Sequence, residues 1–237
     1  ELDSDALACL TEVLGIGGPA YGVGGACAAG NLGLRAGLDE IRHHQADAVV
    51  VTSGGHYLTP ASLHSLAKLG AISLEDFDAE PARASRPFDA ARNGFVPASG
   101  AAALVLESLE HARRRGARIY AEILGVGVTT NGSRGPSPGE QPMACAMALA
   151  LEEAKLDRSA IGYVAAHATS TQLGDLAEAR AIHRVFGGHT AELKVNALKS
   201  MLGHQLSASV LVETVAILLQ LRAGWLYPTI NVDRLAP

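Results

Sequence analysis

Short apolar runs alternate with amphipathic stretches along this chain. Residues 48–52 (AVVVT) and 101–107 (AAALVLE) are continuous apolar runs, which predict buried strands, and 120–128 (YAEILGVGV) predicts a third strand. Apolar residues at helical spacing predict a helix that runs from Ala28 to His44. The same spacing predicts further helices over 4–14, 60–70, 143–155 and 207–222. Strands that alternate with helices predict an α/β fold, with largely parallel sheets covered on both faces.

The composition restricts the class of protein. The chain has 237 residues, 48% of them hydrophobic and 18% charged, which is enough for one sizeable core or two modest ones. A net charge of −5 gives no indication of binding to nucleic acid or to a membrane surface. The three cysteines form no CxxC pair, which favours a reducing, cytoplasmic location. No apolar run reaches the length of a membrane span and no signal peptide is recognisable, so we expect neither.

A glycine-rich stretch over 21–34 (YGVGGACAAGNLGL) surrounds Cys27 with small residues. Such backbone turns sharply and lets another molecule approach closely. A thiol on a tight turn at a helix N-terminus lies near the positive end of the helix dipole, which favours the thiolate. Cys27 is therefore a candidate nucleophile, and the alternative is a small, buried apolar residue with no chemistry.

Two later stretches carry histidines at strand or turn ends. In 163–175 (YVAAHATSTQLGD) an apolar strand ends at His167, and the hydroxyl residues after it are suited to hydrogen-bonding a polar ligand. In 195–213 (VNALKSMLGHQLSASVLVE) a short strand precedes Lys199 and a turn at His204. A single histidine after a strand is more often structural than catalytic. Strand ends gather at one edge of a parallel sheet, however, so we expect His167 and His204 to lie near Cys27.

Three motifs give the chain a family resemblance. GACAAG, HATSTQLGD and KSMLGHQLSAS resemble, in order and in spacing, the motifs of the β-ketoacyl synthases, which belong to the thiolase-like superfamily. The segments RPFDAARNGFV and ESLEHARRRGARIYAEILG are similar to the family as well. The resemblance implies a five-layer αβαβα fold of two similar halves with mixed, largely parallel sheets. Residues 1–115 would belong to the N-terminal half and residues 116–237 to the C-terminal half.

The resemblance also implies a reaction. Cys27 would take an acyl group from the phosphopantetheine arm of an acyl carrier protein. His167 and His204 would donate hydrogen bonds to the malonyl thioester carbonyl while carbon dioxide leaves, because fixed donors stabilise charge where it develops. The enolate would then attack the acyl group on Cys27 and extend the chain by two carbons. This carbon–carbon step implies no metal and no nicotinamide.

The remaining family positions imply supporting roles. Lys199 and Glu213 match a supporting ion pair of the family, and Thr169 and Thr171 match residues that hold the pantetheine arm. Asp175 would brace its loop and take no part in the chemistry. The implied partners are an acyl carrier protein and a second subunit, in a homodimer or in a heterodimer with a ketosynthase-like chain.

Other uses of the same residues stay open. Cys27, His167 and His204 could instead bind zinc, although Lys199 next to this group would oppose a cation. The chain could be a non-condensing, chain-length-type subunit, but such subunits typically lack the nucleophile. It could also be a relative that only decarboxylates or only transfers acyl groups.

Several positions differ from the family pattern. Gly25 stands where the family usually has Thr, and Ala29 where it has Ser or Thr. Ala98, Ser99 and Ala102 also differ from the common residues at their positions. These changes surround the candidate site without removing a catalytic group, so they bear on substrate choice and rate.

The length differs from the family too. We expect a natural protein that is longer at both ends, because family catalytic domains are larger and carry a later Gly-Phe-Gly-Gly loop. That loop would supply the second N–H of an oxyanion hole, and the backbone of Cys27 would supply the first. We expect no folding or turnover from this stretch alone.

Overall fold

The computed structural model describes residues 3–44, 46–54, 58–74, 76–133 and 138–237. The helices are α1 (Asp3–Leu14), α2 (Ala29–His43), α3 (Pro60–Lys68), α4 (Leu109–Arg114), α5 (Glu140–Ala154), α6 (Gln172–Phe186), α7 (Lys199–Leu202) and α8 (Ser209–Ala223). The strands are β1 (Ala48–Ser53), β2 (Ala102–Glu107), β3 (Tyr163–Ala165) and β4 (Lys194–Asn196). Short 3-10 turns occur at Ala26–Ala28, Pro81–Arg83, Arg158–Ala160, Gly187–Ala191 and Leu206–Ala208.

Strands β1 and β2 pair antiparallel, from Ala48 opposite Glu107 to Ser53 opposite Ala102. The prediction of parallel pairing is wrong for these two strands. The first residue of β2 lies opposite the last residue of β1, so β2 runs in the reverse direction. Helix α2 packs on the pair, and Leu34 and Val51 form a core with Leu211 of α8. The prediction that β1 is fully buried is also wrong, since Val51 is its one buried residue and its other positions are partly or fully exposed.

Strands β3 and β4 pair in parallel, as predicted for the sheets in general, with Tyr163 opposite Lys194 and Ala165 opposite Asn196. Helix α6 connects them and packs against α5. The core beside this pair is formed by Ile182, Phe186 and Leu193.

The strand predicted over 120–128 is absent from the described residues. No strand lies alongside this stretch there, and a β-strand needs a hydrogen-bonded neighbour. The stretch lies directly on α5, because a side chain at Gly127 would collide with the backbone of Ala146 and Ala150. Its Val126 N–H donates to a carboxylate oxygen of Glu153 at 2.6 Å.

Helix α8 connects the two pairs of strands. It contacts α2 and β2, and its buried Gln220 accepts a hydrogen bond from Asn196 of β4 at 3.1 Å. The segment Leu206–Ala223, with a mean hydropathy of 1.5, is long and apolar enough to span a membrane by length and composition alone, contrary to expectation. About 28% of the segment is buried, and its buried polar residues, Ser209, Glu213 and Gln220, all have partners within the protein.

Gly94 allows its own segment to pack directly against the backbone at Ile72 and Ser73. Its φ is +150°, and its N–H donates to the Ser170 carbonyl at 2.9 Å. A side chain there would meet the peptide between Ile72 and Ser73. We expect Gly94→Ala to lower the free energy of unfolding by about 1–3 kcal/mol.

Denaturant unfolding of the protein in its full natural length measures this effect. Gly116→Ala is the matched control, because Gly116 also has a positive φ, of +64°, but open space around its Cα. Equal losses of stability in the two variants would show that the close packing at Gly94 contributes nothing.

Candidate active site

Cys27 lies in the 3-10 turn Ala26–Ala28, immediately before α2. Small residues make this turn possible. A β-carbon at Gly25 would collide with the Leu32 side chain, and one at Gly30 would collide with Val210 of α8. The glycine at position 25, which differs from the family pattern, leaves room for the end of the Leu32 side chain.

The environment of Cys27 keeps its sulfur protonated. Burial raises the pKa of the Cys27 thiol, and the opposing effects of Lys199 and of the backbone N–H are smaller. The prediction that the helix N-terminus favours a thiolate is therefore wrong for the free protein, because desolvation outweighs the local positive field. A nucleophile at Cys27 needs a neighbouring group that takes the thiol proton.

His204 provides such a neighbour. Its Nε2 lies 3.0 Å from Cys27 Sγ. Its backbone is held between Val96 and Ala98, with the His204 N–H donating to the Val96 carbonyl at 2.8 Å. Its ring is buried and meets Phe95 edge to face at 4.9 Å. Burial and then the charge of Lys199 lower the pKa of His204 to about 3, so the ring is neutral near pH 7.

His167 follows β3 and meets the His204 ring edge to face, with a centroid distance of 5.3 Å. The residue as a whole is not fully buried. Desolvation by the surrounding protein, together with Lys199 and His204, holds the pKa of His167 well below its usual range. The structure thus brings together the two imidazoles and the thiol that the sequence singled out, and both imidazoles are neutral.

Glu178 of α6 fixes the backbone at His167, and the sequence analysis missed it. Its two carboxylate oxygens accept hydrogen bonds from the N–H groups of His167 and Ala168, each at 2.7 Å. Burial raises the pKa of Glu178, while these two N–H groups act in the opposite direction. The one available signal was its spacing of three and four residues from the apolar Ala181 and Ile182, in a stretch for which no helix was predicted.

Lys199 and Glu213 form a buried ion pair. Lys199 Nζ lies 2.7 Å and 2.9 Å from the two Glu213 oxygens, and the Lys199 side chain is 1% exposed. The pair joins α7 to α8. Its ammonium also lowers the pKa of both imidazoles, so the site has a positive local potential.

The loop after His167 is held by Asp175. One oxygen of this buried carboxylate accepts from the Ser170 N–H at 3.1 Å, and the other accepts from the Phe88 N–H at 2.8 Å. Ser170 has a positive φ of +68°, a conformation that these contacts support. The hydroxyls of Thr169 and Thr171 lie 3.1 Å apart in the same loop, and their role toward a pantetheine arm stays a prediction.

A metal ion is the rival use of this cluster. The ligand atoms of Cys27, His167 and His204 lie within 4.8 Å of one another, so they could converge on one ion. Lys199 opposes a cation at this position, as its effect on both imidazoles shows. The geometry therefore allows a zinc site, and the electrostatics disfavour it.

Family profiles cover nearly the whole chain. The profile described as "Beta-ketoacyl synthase, N-terminal domain" matches residues 2–112, and "Beta-ketoacyl synthase, C-terminal domain" matches residues 120–233. The chain belongs to the β-ketoacyl synthase family. The family resemblance seen in the three motifs is thereby confirmed.

Individual relatives of this β-ketoacyl synthase chain agree. It is 40% identical to the chloroplastic 3-oxoacyl-[acyl-carrier-protein] synthase I of Arabidopsis thaliana, over 94% of this chain and 47% of that protein. It is 34% identical to a polyketide biosynthesis malonyl-ACP decarboxylase of Bacillus subtilis, over 98% of this chain and 55% of that protein. The chain spans about half the length of the curated relatives that it matches.

A solved structure agrees on the fold. The chain superposes on a ketosynthase of known structure with a TM-score of 0.94. That structure is of a type II polyketide synthase acyl-carrier protein in complex with its ketosynthase, which is bound to the hexaketide. The identity is 34%, over 99% of this chain and 58% of that chain. The prediction of a thiolase-like α/β fold is confirmed.

Proposed function

We propose that the protein is a condensing β-ketoacyl synthase, acting in fatty acid or polyketide synthesis. It joins an acyl group held on Cys27 to malonyl-acyl carrier protein by decarboxylative Claisen condensation. The observation that carries this proposal is the 3.0 Å contact between Cys27 Sγ and His204 Nε2, with His167 packed against the same ring. A protonated nucleophile lies beside two neutral imidazoles, as a thioester reaction of this kind requires.

The first half-reaction is acyl transfer. The sulfur of Cys27 attacks the carbonyl of an acyl thioester, a new S–C bond forms, and the bond to the pantetheine sulfur breaks. Because burial keeps the Cys27 thiol protonated, its proton must leave as the attack proceeds. The pantetheine thiol departs with a proton, so no charge is left in the site.

The second half-reaction is decarboxylation and condensation. Loss of carbon dioxide from the malonyl thioester leaves an enolate, whose negative oxygen needs a fixed donor. A neutral imidazole supplies one N–H, and His167, which lies beside Cys27 and His204, supplies this donor. The enolate carbon then attacks the acyl carbonyl on Cys27 and returns the electrons of the S–C bond to sulfur. One proton taken up from solvent restores the Cys27 thiol.

The partners follow from this chemistry and are part of the proposal. The acyl groups arrive on the phosphopantetheine of an acyl carrier protein, and a solved relative is a ketosynthase in complex with such a protein. The proposed reaction uses no nicotinamide, because no step is a redox reaction, and no metal, because an imidazole N–H stabilises the enolate. We place the enzyme in the cytoplasm, as a homodimer or a heterodimer with a ketosynthase-like subunit.

A second candidate function is decarboxylation without condensation. A relative at 34% identity is named as a malonyl-ACP decarboxylase. Gly25 and Ala29 also make the surroundings of Cys27 smaller and less polar than the family pattern. Decarboxylation alone uses an imidazole donor but leaves no acyl group on the thiol.

Intact-protein mass spectrometry tests the proposal on the protein in its full natural length. Incubation with an acyl-acyl carrier protein should add one acyl group, and malonyl-acyl carrier protein should then yield a product two carbons longer. Release of carbon dioxide without acylation would favour the decarboxylase, and acylation without an extended product would favour an acyltransferase. Absence of all three activities would contradict the proposal and favour a non-condensing subunit.

A further inference from the structure

A line of side-chain hydrogen bonds lies behind His204, on the side of the ring away from Cys27. His204 Nδ1 lies 2.8 Å from Ser209 Oγ, and Ser209 Oγ lies 3.1 Å from Gln205 Oε1. Gln205 Nε2 lies 2.8 Å from the Leu202 carbonyl oxygen. His204, Gln205 and Ser209 are at most 3% exposed, so water does not compete for these groups.

Each hydrogen bond in this line has one possible direction. The Leu202 carbonyl only accepts, so the amide nitrogen of Gln205 faces it and the amide oxygen faces Ser209. An amide oxygen also only accepts, so the single hydroxyl proton of Ser209 points at Gln205. The Ser209 oxygen is then left as the acceptor for an N–H at His204 Nδ1.

We propose that Ser209 and Gln205 are positioning residues that hold His204 with its proton on Nδ1, which leaves the Nε2 lone pair to take the Cys27 proton. This inference rests on the condensing function proposed above. A neutral ring carries one N–H, so fixing the proton on Nδ1 makes Nε2 an acceptor. The contact at 3.0 Å is then an S–H of Cys27 donating to His204 Nε2.

The proton balance of acyl transfer closes with this arrangement. As the Cys27 sulfur attacks the thioester, its proton moves to Nε2 and His204 becomes an imidazolium. When the bond to the pantetheine sulfur breaks, Nε2 gives the proton to that sulfur. His204 returns to the same neutral form, and Ser209 and Gln205 neither gain nor lose a proton.

The two histidines therefore have different tasks. The expectation from the resemblance was that both donate to the malonyl carbonyl. With the proton held on Nδ1, His204 Nε2 has none to donate in the resting enzyme, so His167 is left as the donor. Moving the proton to Nε2 would require the Ser209 hydroxyl to turn toward His204, which would leave the buried Gln205 oxygen without its donor.

The test is the tautomer of His204, read from the nitrogen chemical shifts of 15N-histidine-labelled protein in its full natural length. We expect Nδ1 to be protonated and Nε2 to be unprotonated in the wild type. Ser209→Ala removes the acceptor for Nδ1, and Gln205→Met leaves Ser209 free to donate to Nδ1. Both variants should populate the form protonated on Nε2 and should slow acylation of Cys27 roughly tenfold, with an unchanged KM for the acyl carrier protein.

Ser207→Ala is the matched control, because Ser207 lies on the same turn and makes no side-chain hydrogen bond within the described part of the chain. It should keep the wild-type tautomer and rate. A wild-type His204 protonated on Nε2 would overturn the inference, as would two folded variants with wild-type shifts and rates. A wild type with the Nδ1 proton that is never acylated would refute the proposed function and leave the tautomer assignment standing.

Discussion

Replacing Cys27 with alanine will abolish acyl transfer from acyl carrier protein, a loss on the order of 10⁴ or more in rate. The physical reason is that no covalent intermediate forms without the sulfur that lies 3.0 Å from His204. Intact-protein mass spectrometry after incubation with an acyl-acyl carrier protein will show the unmodified mass. Peptide mapping of the wild type will place the acyl group on Cys27.

The other cysteines supply the controls. Cys9 on α1 and Cys145 on α5 are exposed, and neither is part of the cluster of imidazoles. Cys9→Ala and Cys145→Ala should acylate at the wild-type rate. Persistent acylation of Cys27→Ala at either of these two residues would show that the nucleophile has been misassigned.

Lys199→Met will lower the free energy of unfolding by about 3–5 kcal/mol, because it leaves the Glu213 carboxylate buried without its cation. The double variant Lys199→Met/Glu213→Leu removes both charges and should recover most of that loss. Urea unfolding of the wild type, the single variant and the double variant, each in its full natural length, measures these differences in stability. Activity should stay low in the double variant, since the Lys199 charge, which opposes the effect of burial on the pKa of Cys27, is gone.

Lys194→Met is the control for the charge change alone. Lys194 lies on β4 and is exposed, so its replacement should change stability little. If the double variant is as unstable as Lys199→Met, the loss comes from packing of the long side chain and the account of a buried, unpaired charge is wrong.

The main elements and the cluster were predictable for different reasons. β1 and β2 coincide with continuous apolar runs, which indicate their positions to within one residue. The cluster was predictable because Cys27, His167 and His204 stand in three motifs that lie 140 and 37 residues apart. Their positions at strand or turn ends already predicted one site at a sheet edge, and the motifs then assigned a role to each residue.

What the sequence did not reveal depends on partners in space. The stretch 120–128 is as apolar as a strand, but a strand exists only beside another one. Glu178, Gln205 and Ser209 are polar residues on helices or turns, which usually predicts exposure to water. Their roles depend on which atom faces which, and the sequence does not specify that.

The raised pKa of Cys27 is a further property that depends on partners in space and that the local sequence does not specify. A position before a helix is readable from the sequence, and it predicts a lowered pKa through the dipole. The degree of burial depends on segments far away in the chain, including α8, which contacts the turn Ala26–Ala28. In this protein, burial raises the pKa of Cys27 by more than the local positive groups lower it, so the prediction of a lowered pKa had the wrong direction.

Helix α8 connects three distant parts of the protein through buried side chains along its length. Gln220 anchors one end to β4, Glu213 anchors the middle to α7, and Ser209 reaches His204 at the other end. A helix does not stretch, and Ser209 and Gln220 are separated by about 16 Å along its axis. We therefore expect a displacement of the helix along its axis at Gln220 to displace Ser209 as well, and so to change the contact of Ser209 with His204.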